Sequence, residues 1–388
     1  MRLYPYQVPL PKGLRAAGGA LAAALAAALA LAACGGAAAP ASTPAASGAA
    51  ASPATSASAA TSAKPAASTA ASAAASASAS AAIKPAAAGA ILVSYSELSA
   101  SNQQAYVAQE QGIFQKNGLN VDLRLIPSTT GVPALIAGET NIAQLGGSEA
   151  LAAAVGGADL VITASLAPVF PYTFVVAPSI KTKADLIGKK VGVSQIGSSS
   201  DVALRTGLKK YGVTPDKDVT VLAVGSRASQ TAAASNGAVQ GELTHPPDSL
   251  DLEKLGWHEL FDLASLGLPS ANTTVVASRS WLNGHKDVMQ KYIDSVVTAE
   301  ALAKKDKTGT EAVLKKYLKV DDQQALDETY DFYTNKVLAV LPYPKADQLS
   351  DAIEQLGEKN ANAKSFNVGK ILDDSFVKSA ADRGLDKA

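Results

Sequence analysis

Side chains able to bind or react are concentrated in short polar loops that follow apolar runs. The richest is Gln195-Ile196-Gly197-Ser198-Ser199-Ser200-Asp201, where a glycine permits a tight turn and serines supply hydroxyls at the start of a helical pattern. Such a place suits a ligand, because helix N-termini present unpaired N–H groups and a partial positive charge. The same residues spell a helix cap, Ser198-x-x-Asp201, and one serine can cap while another faces a ligand. No Gly-Lys-Ser/Thr follows, so the segment is not a phosphate loop.

Comparable loops hold Glu97, Ser99 and Ser101, then Ser128 and Thr129, then Gly147 and Ser148. With Gln195, Gly197, Ser198, Ser199, Arg227 and His245 they form the candidate ligand set. Arg227 follows Gly225-Ser226 and is either a partner for a sulfonate or carboxylate or a surface charge at a helix start. His245, between a strand end and two prolines, is either a ligand contact or a loop histidine. Glu97 and Glu149 oppose a strongly anionic ligand if they border the same cleft. Tyr95, Phe170 and Tyr172 offer an aromatic wall, with core packing as the competing role.

Catalytic and metal chemistry find little support. The one cysteine, Cys34, and the three histidines, His245, His258 and His285, are far apart and lack ligand spacing. No Gly-x-Ser-x-Gly elbow and no dinucleotide fingerprint occur. The expectation is a chain that is not an enzyme and needs no metal or cofactor. Lys+Arg 34 balances Asp+Glu 34, which argues against a nucleic acid partner.

The N-terminus reads as an address. Arg2, Lys12 and Arg15 precede an uncharged Ala-rich stretch to Ala33, the layout of a signal peptide. Leu31-Ala32-Ala33-Cys34-Gly35 resembles the lipobox of bacterial lipoproteins, which implies lipidation of Cys34 and attachment to a membrane. From there to Gly89 the chain is almost wholly Ala, Ser, Thr, Pro and Gly with no aromatic residue, a composition that predicts a tether.

The elements that position these loops alternate strand and helix. Strands are expected at 91–95, 121–126 and 141–145, with helices ending at Gly112, Gly138 and Val155. The pattern restarts with strands at 190–193, 218–222 and 241–244 and helices over 201–211 and up to Asn236-Gly237. Tyr172–Ala177 and Thr273–Ala277 read as two crossings between halves. Helices follow at 288–305, 310–317, 323–338 and 346–356. The expected organisation is a leader over 1–33, Cys34 and tether over 34–89, a first lobe over 90–177, a second over 178–275, and a return to the first lobe with C-terminal helices over 276–388.

Three segments then carry a family resemblance: Ala108-Gln-Glu-Gln-Gly-Ile-Phe-Gln-Lys-Asn-Gly-Leu119, Ala137-Gly-Glu-Thr-Asn-Ile-Ala143, and Asp185-Leu-Ile-Gly-Lys-Lys-Val-Gly-Val193, with Leu341-Pro-Tyr-Pro344 after them. From Ile91 to about Val377 the chain resembles the nitrate/sulfonate/taurine and thiamine-precursor group of periplasmic solute-binding proteins of ABC transporters. The resemblance implies an α/β fold of type II, with two lobes, parallel-rich sheets flanked by helices, and a ligand between them. It also implies a monomer outside the cytoplasmic membrane, with permease and ATPase subunits as partners. A synthase of the thiamine-precursor type and a sensor lobe that reports to a receptor are the alternatives within the same fold.

Overall fold

The computed structural model describes residues 83–387. The leader, Cys34 and most of the tether lie outside the described residues. Two five-stranded sheets organise the rest.

The first sheet is built from β1 (Ile91–Tyr95), β2 (Val121–Leu125), β3 (Ile142–Leu145), β4 (Leu160–Val169) and β10 (Pro269–Ser278). Its order is β2-β1-β3-β10-β4, with β1 parallel to β2 and β3, and β10 antiparallel to β3 and β4. Helices α1 (Gln103–Glu110), α2 (Ile113–Lys116), α3 (Ser128–Ala137) and α4 (Gly147–Val155) connect these strands.

The second sheet contains β5 (Thr173–Val176), β6 (Lys190–Val193), β7 (Thr220–Ala223), β8 (Gly241–Thr244) and β9 (His258–Asp262). Its order is β7-β6-β8-β5-β9, again two parallel pairs and then an antiparallel strand, β5, between β8 and β9. Its helices are α5 (Lys183–Leu186), α6 (Ser199–Tyr211), α7 (Arg227–Ser235) and α8 (Asp248–Lys254). The two sheets therefore repeat one plan, as the restart of the sequence pattern implies.

Tyr172–Ala177 and Thr273–Ala277 are not crossings. Each lies largely in a strand hydrogen-bonded to neighbours on both sides, β5 in the second sheet and β10 in the first. A strand paired on both edges cannot span a gap between sheets. The chain crosses in the short links beside them, 170–172 and 263–268. The sequence pattern does not mark β4 and β9 as strands. β4 is buried along most of its length and so shows no period-2 alternation.

The C-terminal part contains α9 (Arg279–Gly284), α10 (Lys286–Ala303), α11 (Lys307–Leu318), α12 (Gln323–Phe332), α13 (Ser350–Lys359), α14 (Ala361–Lys364) and α15 (Ser375–Asp382). Helix α10 buries Met289, Tyr292, Ile293, Val296 and Val297 against α1 and the first sheet. The expected helix over 323–338 stops at Phe332 and widens into a π-helical turn, Tyr333–Val337. The expected return to the first lobe is incomplete as well, because α13 touches both α4 and α6. Thr206 of α6 donates to Asp351 at 3.0 Å, and Gln355 donates to the Val202 carbonyl at 3.1 Å. A third contact between the lobes is thus supplied by a helix rather than by a strand.

Candidate functional site

Between the two sheets lies a cleft of about 770 Å³. Its walls are loops beyond strand C-terminal ends together with the first turns of α3, α6 and α7, the arrangement expected of ligand sites in α/β sheets. Glu97, Ser99, Ser101, Ser128, Thr129, Gln195, Ser198, Ser199, Arg227 and His245 all line it. Gly147, Ser148 and Gly197 do not.

Gly147 instead sits where α4 packs closely on β10. A Cβ there would lie 2.5 Å from the Ala271 Cβ and 2.8 Å from the Ala271 carbonyl oxygen, so only glycine allows α4 to rest on β10. Ser148 belongs to a seam between the lobes: its hydroxyl is 2.8 Å from that of Ser199 and donates to Glu149 at 3.0 Å. Gly197 has φ +85°, a conformation that side chains disfavour, and lets the loop turn into α6.

The serine loop is chiefly a cap. Ser198 accepts from the Asp201 N–H at 3.4 Å, and α6 starts at Ser199, two residues before the sequence expectation. The reciprocal bond of a capping box goes elsewhere, since Asp201 accepts from the Gly197 N–H at 2.8 Å. Ser194, Ser198 and Ser200 hydroxyls satisfy one another at 2.8–3.0 Å. Ser199 is the serine of this group that points to the other lobe, donating to Glu149 at 3.2 Å. Burial raises the Glu149 pKa, against these hydrogen bonds, which lower it.

Arg227 is not a solvated surface charge. Its side chain is 14% exposed, its Nη1 donates to the Leu243 carbonyl at 2.8 Å, and it lies 6.0 Å from the centre of the Tyr172 ring. Across the cleft its Nη2 faces Glu97 at 3.9 Å, and its Nε faces Asp248 at 3.7 Å. Burial works against its charge, but Glu97 and Asp248 outweigh that and leave its pKa raised. Behind it, Glu242 on β8 is fully buried and has no hydrogen-bond partner on either carboxylate oxygen among the described residues. Burial pushes its pKa up to about 7, although Arg227 pulls it down.

His245 precedes the cis Pro246–Pro247 bond and is 2% exposed. Its Nδ1 lies 3.1 Å from the Pro246 carbonyl, which can only accept, so Nδ1 carries the proton and Nε2 is an acceptor. Nε2 has no partner among the described residues. Burial and then Arg227 hold the ring pKa well below its usual value, which keeps the imidazole neutral.

Tyr333 is fully buried and packs behind the wall beside His245, with ring centroids 5.5 Å apart in an edge contact. Its hydroxyl is 3.0 Å from the Ser99 hydroxyl. The π-helical turn that carries it is tied from behind: Gln103 donates to Thr334 at 3.0 Å and to the buried Glu300 at 3.2 Å, and Lys304 donates to the Thr334 carbonyl. Burial pushes Glu300 up to about 7. π-turns often occur at functional sites. Of the proposed aromatic wall only Tyr172 faces the cleft. Tyr95 packs edge-on against Tyr106, and Phe170 is buried in the core.

Asn272 and Asp248 also line the cleft and Tyr333 backs it, and the sequence analysis singles out none of the three. Tyr333 falls inside a continuous helical pattern that gives no sign of the wider turn. Asp248 did leave a signal, since Pro246-Pro247 followed by an acid marks a helix start. Among the described residues no three His, Cys, Asp or Glu side chains are grouped to hold a metal ion.

The fold and cleft define the class: this is a two-lobed α/β protein of the periplasmic binding protein fold. The family described as NMT1/THI5 like matches residues 101–307, more than half of the chain, and the protein belongs to it. No protein of curated function matches the sequence. Among solved structures, the periplasmic aliphatic sulphonate binding protein SsuA of Escherichia coli is similar over 74% of this chain and 92% of its own, at 21% identity and a TM-score of 0.60. The alkanesulfonate-binding SsuA of Xanthomonas axonopodis pv. citri, bound to MOPS, covers 76% and 98% at 21% identity and 0.59. The periplasmic nitrate-binding protein NrtA of Synechocystis PCC 6803 covers 76% and 89% at 14% identity and 0.63. At these identities the likeness is one of fold.

Proposed function

We propose that the protein is an extracytoplasmic solute-binding component of an ABC importer, which captures a small molecule by closing its two lobes. The observation that carries this reading is the cleft itself, about 770 Å³, with polar groups from both lobes converging on it. Binding is favoured over catalysis by the state of the hydroxyls and the imidazole. The serines of the cleft bond to one another or to Glu149, and the His245 Nδ1 is turned to a backbone carbonyl, so among the described residues none of these serines is paired with the imidazole.

The same reading includes lipid attachment through Cys34 and delivery to permease and ATPase subunits by a monomer, with the expected lobe limits at 177 and 275 moved to the crossings at 170–172 and 263–268. Metabolic labelling with a fatty acid, lost in Cys34→Ser, tests the anchor. For the solute, a thermal-shift screen of the purified protein against sulfonates, nitrate and thiamine precursors comes first, since the fold neighbours and the family name point there. A saturable rise in Tm supports the reading. A folded sample that no small solute stabilises sinks it.

A further inference from the structure

The charge inside the cleft points away from an oxyanion. At the mouth, exposed Asp251 and Asp322 balance exposed Lys254 and Lys319. Deeper in, the partly buried Glu97, Glu149 and Asp248 share the cleft with one cation, Arg227, which lies within 4 Å of Glu97 and Asp248. Three carboxylates against one guanidinium leave a formal excess of two negative charges there. Arg227 has little left for a ligand anion: one nitrogen is committed to the Leu243 carbonyl and the other two face Glu97 and Asp248.

The helix ends offset this only in part. The positive N-termini of α4 and α6 already have Glu149 and Asp201 in their first turns, while those of α3 and α7 carry no acid of their own. Glu97 and Asp248, by contrast, are poorly satisfied. Arg227 stands 3.7–3.9 Å from them, beyond a normal hydrogen bond, and the Ser101 hydroxyl reaches Glu97 only at 3.5 Å.

An independent observation has the same sense. His245 lines the cleft, is 2% exposed, and holds an Nε2 that the tautomer makes an acceptor; this atom is shielded from solvent here and has no donor among the described residues. A buried acceptor without a donor is costly, and a ligand N–H would satisfy it. The cleft also exposes Leu98 and Leu125, which suits an apolar ligand body.

We propose that the solute is a small organic cation, a protonated amine or guanidine with an apolar portion, whose N–H groups are received by Glu97, Asp248 and His245. This rests on the solute-binding reading and narrows it. The test uses chain-matched probes, n-hexylamine and n-hexylguanidine against hexane-1-sulfonate and hexanoate, together with nitrate, by calorimetric titration at pH 7.5 and thermal shift. The expected result is saturable binding of at least one cation and none of the anions. Glu97→Gln and Asp248→Asn should each weaken that binding about tenfold, while their ligand-free Tm shows that they fold.

Binding of hexane-1-sulfonate, hexanoate or nitrate without either cation overturns the proposal and leaves solute binding intact. Cation binding that both variants leave unchanged also overturns it. Silence from every probe on a folded sample overturns it and counts against the solute-binding reading as well.

Discussion

The Ser199 hydroxyl at the start of α6 lies 2.8 Å from the Ser148 hydroxyl at the start of α4, so the helix N-termini of the two lobes meet directly. Glu149 accepts from both, and the three groups form a small hydrogen-bonded seam at the edge of the cleft. Ser199→Ala removes the second lobe's contribution and leaves Ser148 and Glu149 bonded to each other. A net hydrogen bond contributes about 1 kcal/mol, so the open form gains roughly fivefold in population relative to the closed. Small-angle scattering should show a larger radius of gyration for the ligand-free variant. An unchanged radius would mean that the seam does not hold the lobes together.

Tyr333 gives a cleaner contrast between shape and polarity. Tyr333→Phe keeps the ring against His245 and Phe332 but loses the 3.0 Å contact with Ser99. The expected loss of stability is about 1 kcal/mol. Tyr333→Ala also empties a fully buried site and should cost about 3–5 kcal/mol. Chemical denaturation of the two variants checks this, and equal losses would show that the hydroxyl is what matters.

Legibility in the sequence followed how local each cause was. The strand–helix alternation and the caps at Gly138, Gly212 and Ser198 depend on neighbours in the chain, and these elements are found close to where they were expected. The cleft loops of both lobes were legible for the same reason, because they sit at strand ends. What could not be read depends on distant partners. Arg227 is drawn into the cleft by Glu97, far away in sequence, and Gly147 is fixed by its approach to Ala271. Tyr333 backs Ser99 and His245 through a widened turn held by Gln103 and Glu300, which no local pattern records.

Gly147→Ala tests whether that close approach is needed. The new methyl carbon would meet Ala271 at 2.5 Å, and both partners are on regular elements with little room to move. Overpacking of this kind costs about 1–3 kcal/mol. The variant should melt lower than the parent by several degrees, read by differential scanning calorimetry. A melting temperature within one degree of the parent would show that α4 can lift from β10 without cost.

Glu242 and Glu300 set a pH dependence of opposite sign to that of salt-bridged acids. Each has its pKa raised from 4.5 to about 7, chiefly by burial, against Arg227 for the first and Lys304 and Gln103 for the second. Between those two values the folded protein holds protons that the unfolded chain has released. Stability from these groups is therefore full below about pH 4.5, falls as pH rises through 7, and is level above that. The double variant Glu242→Gln/Glu300→Gln cannot lose these protons. Its Tm relative to the parent should climb from pH 4.5 to 7 and then stay constant. Parallel melting curves across that window would mean that neither carboxyl is held protonated in the folded protein.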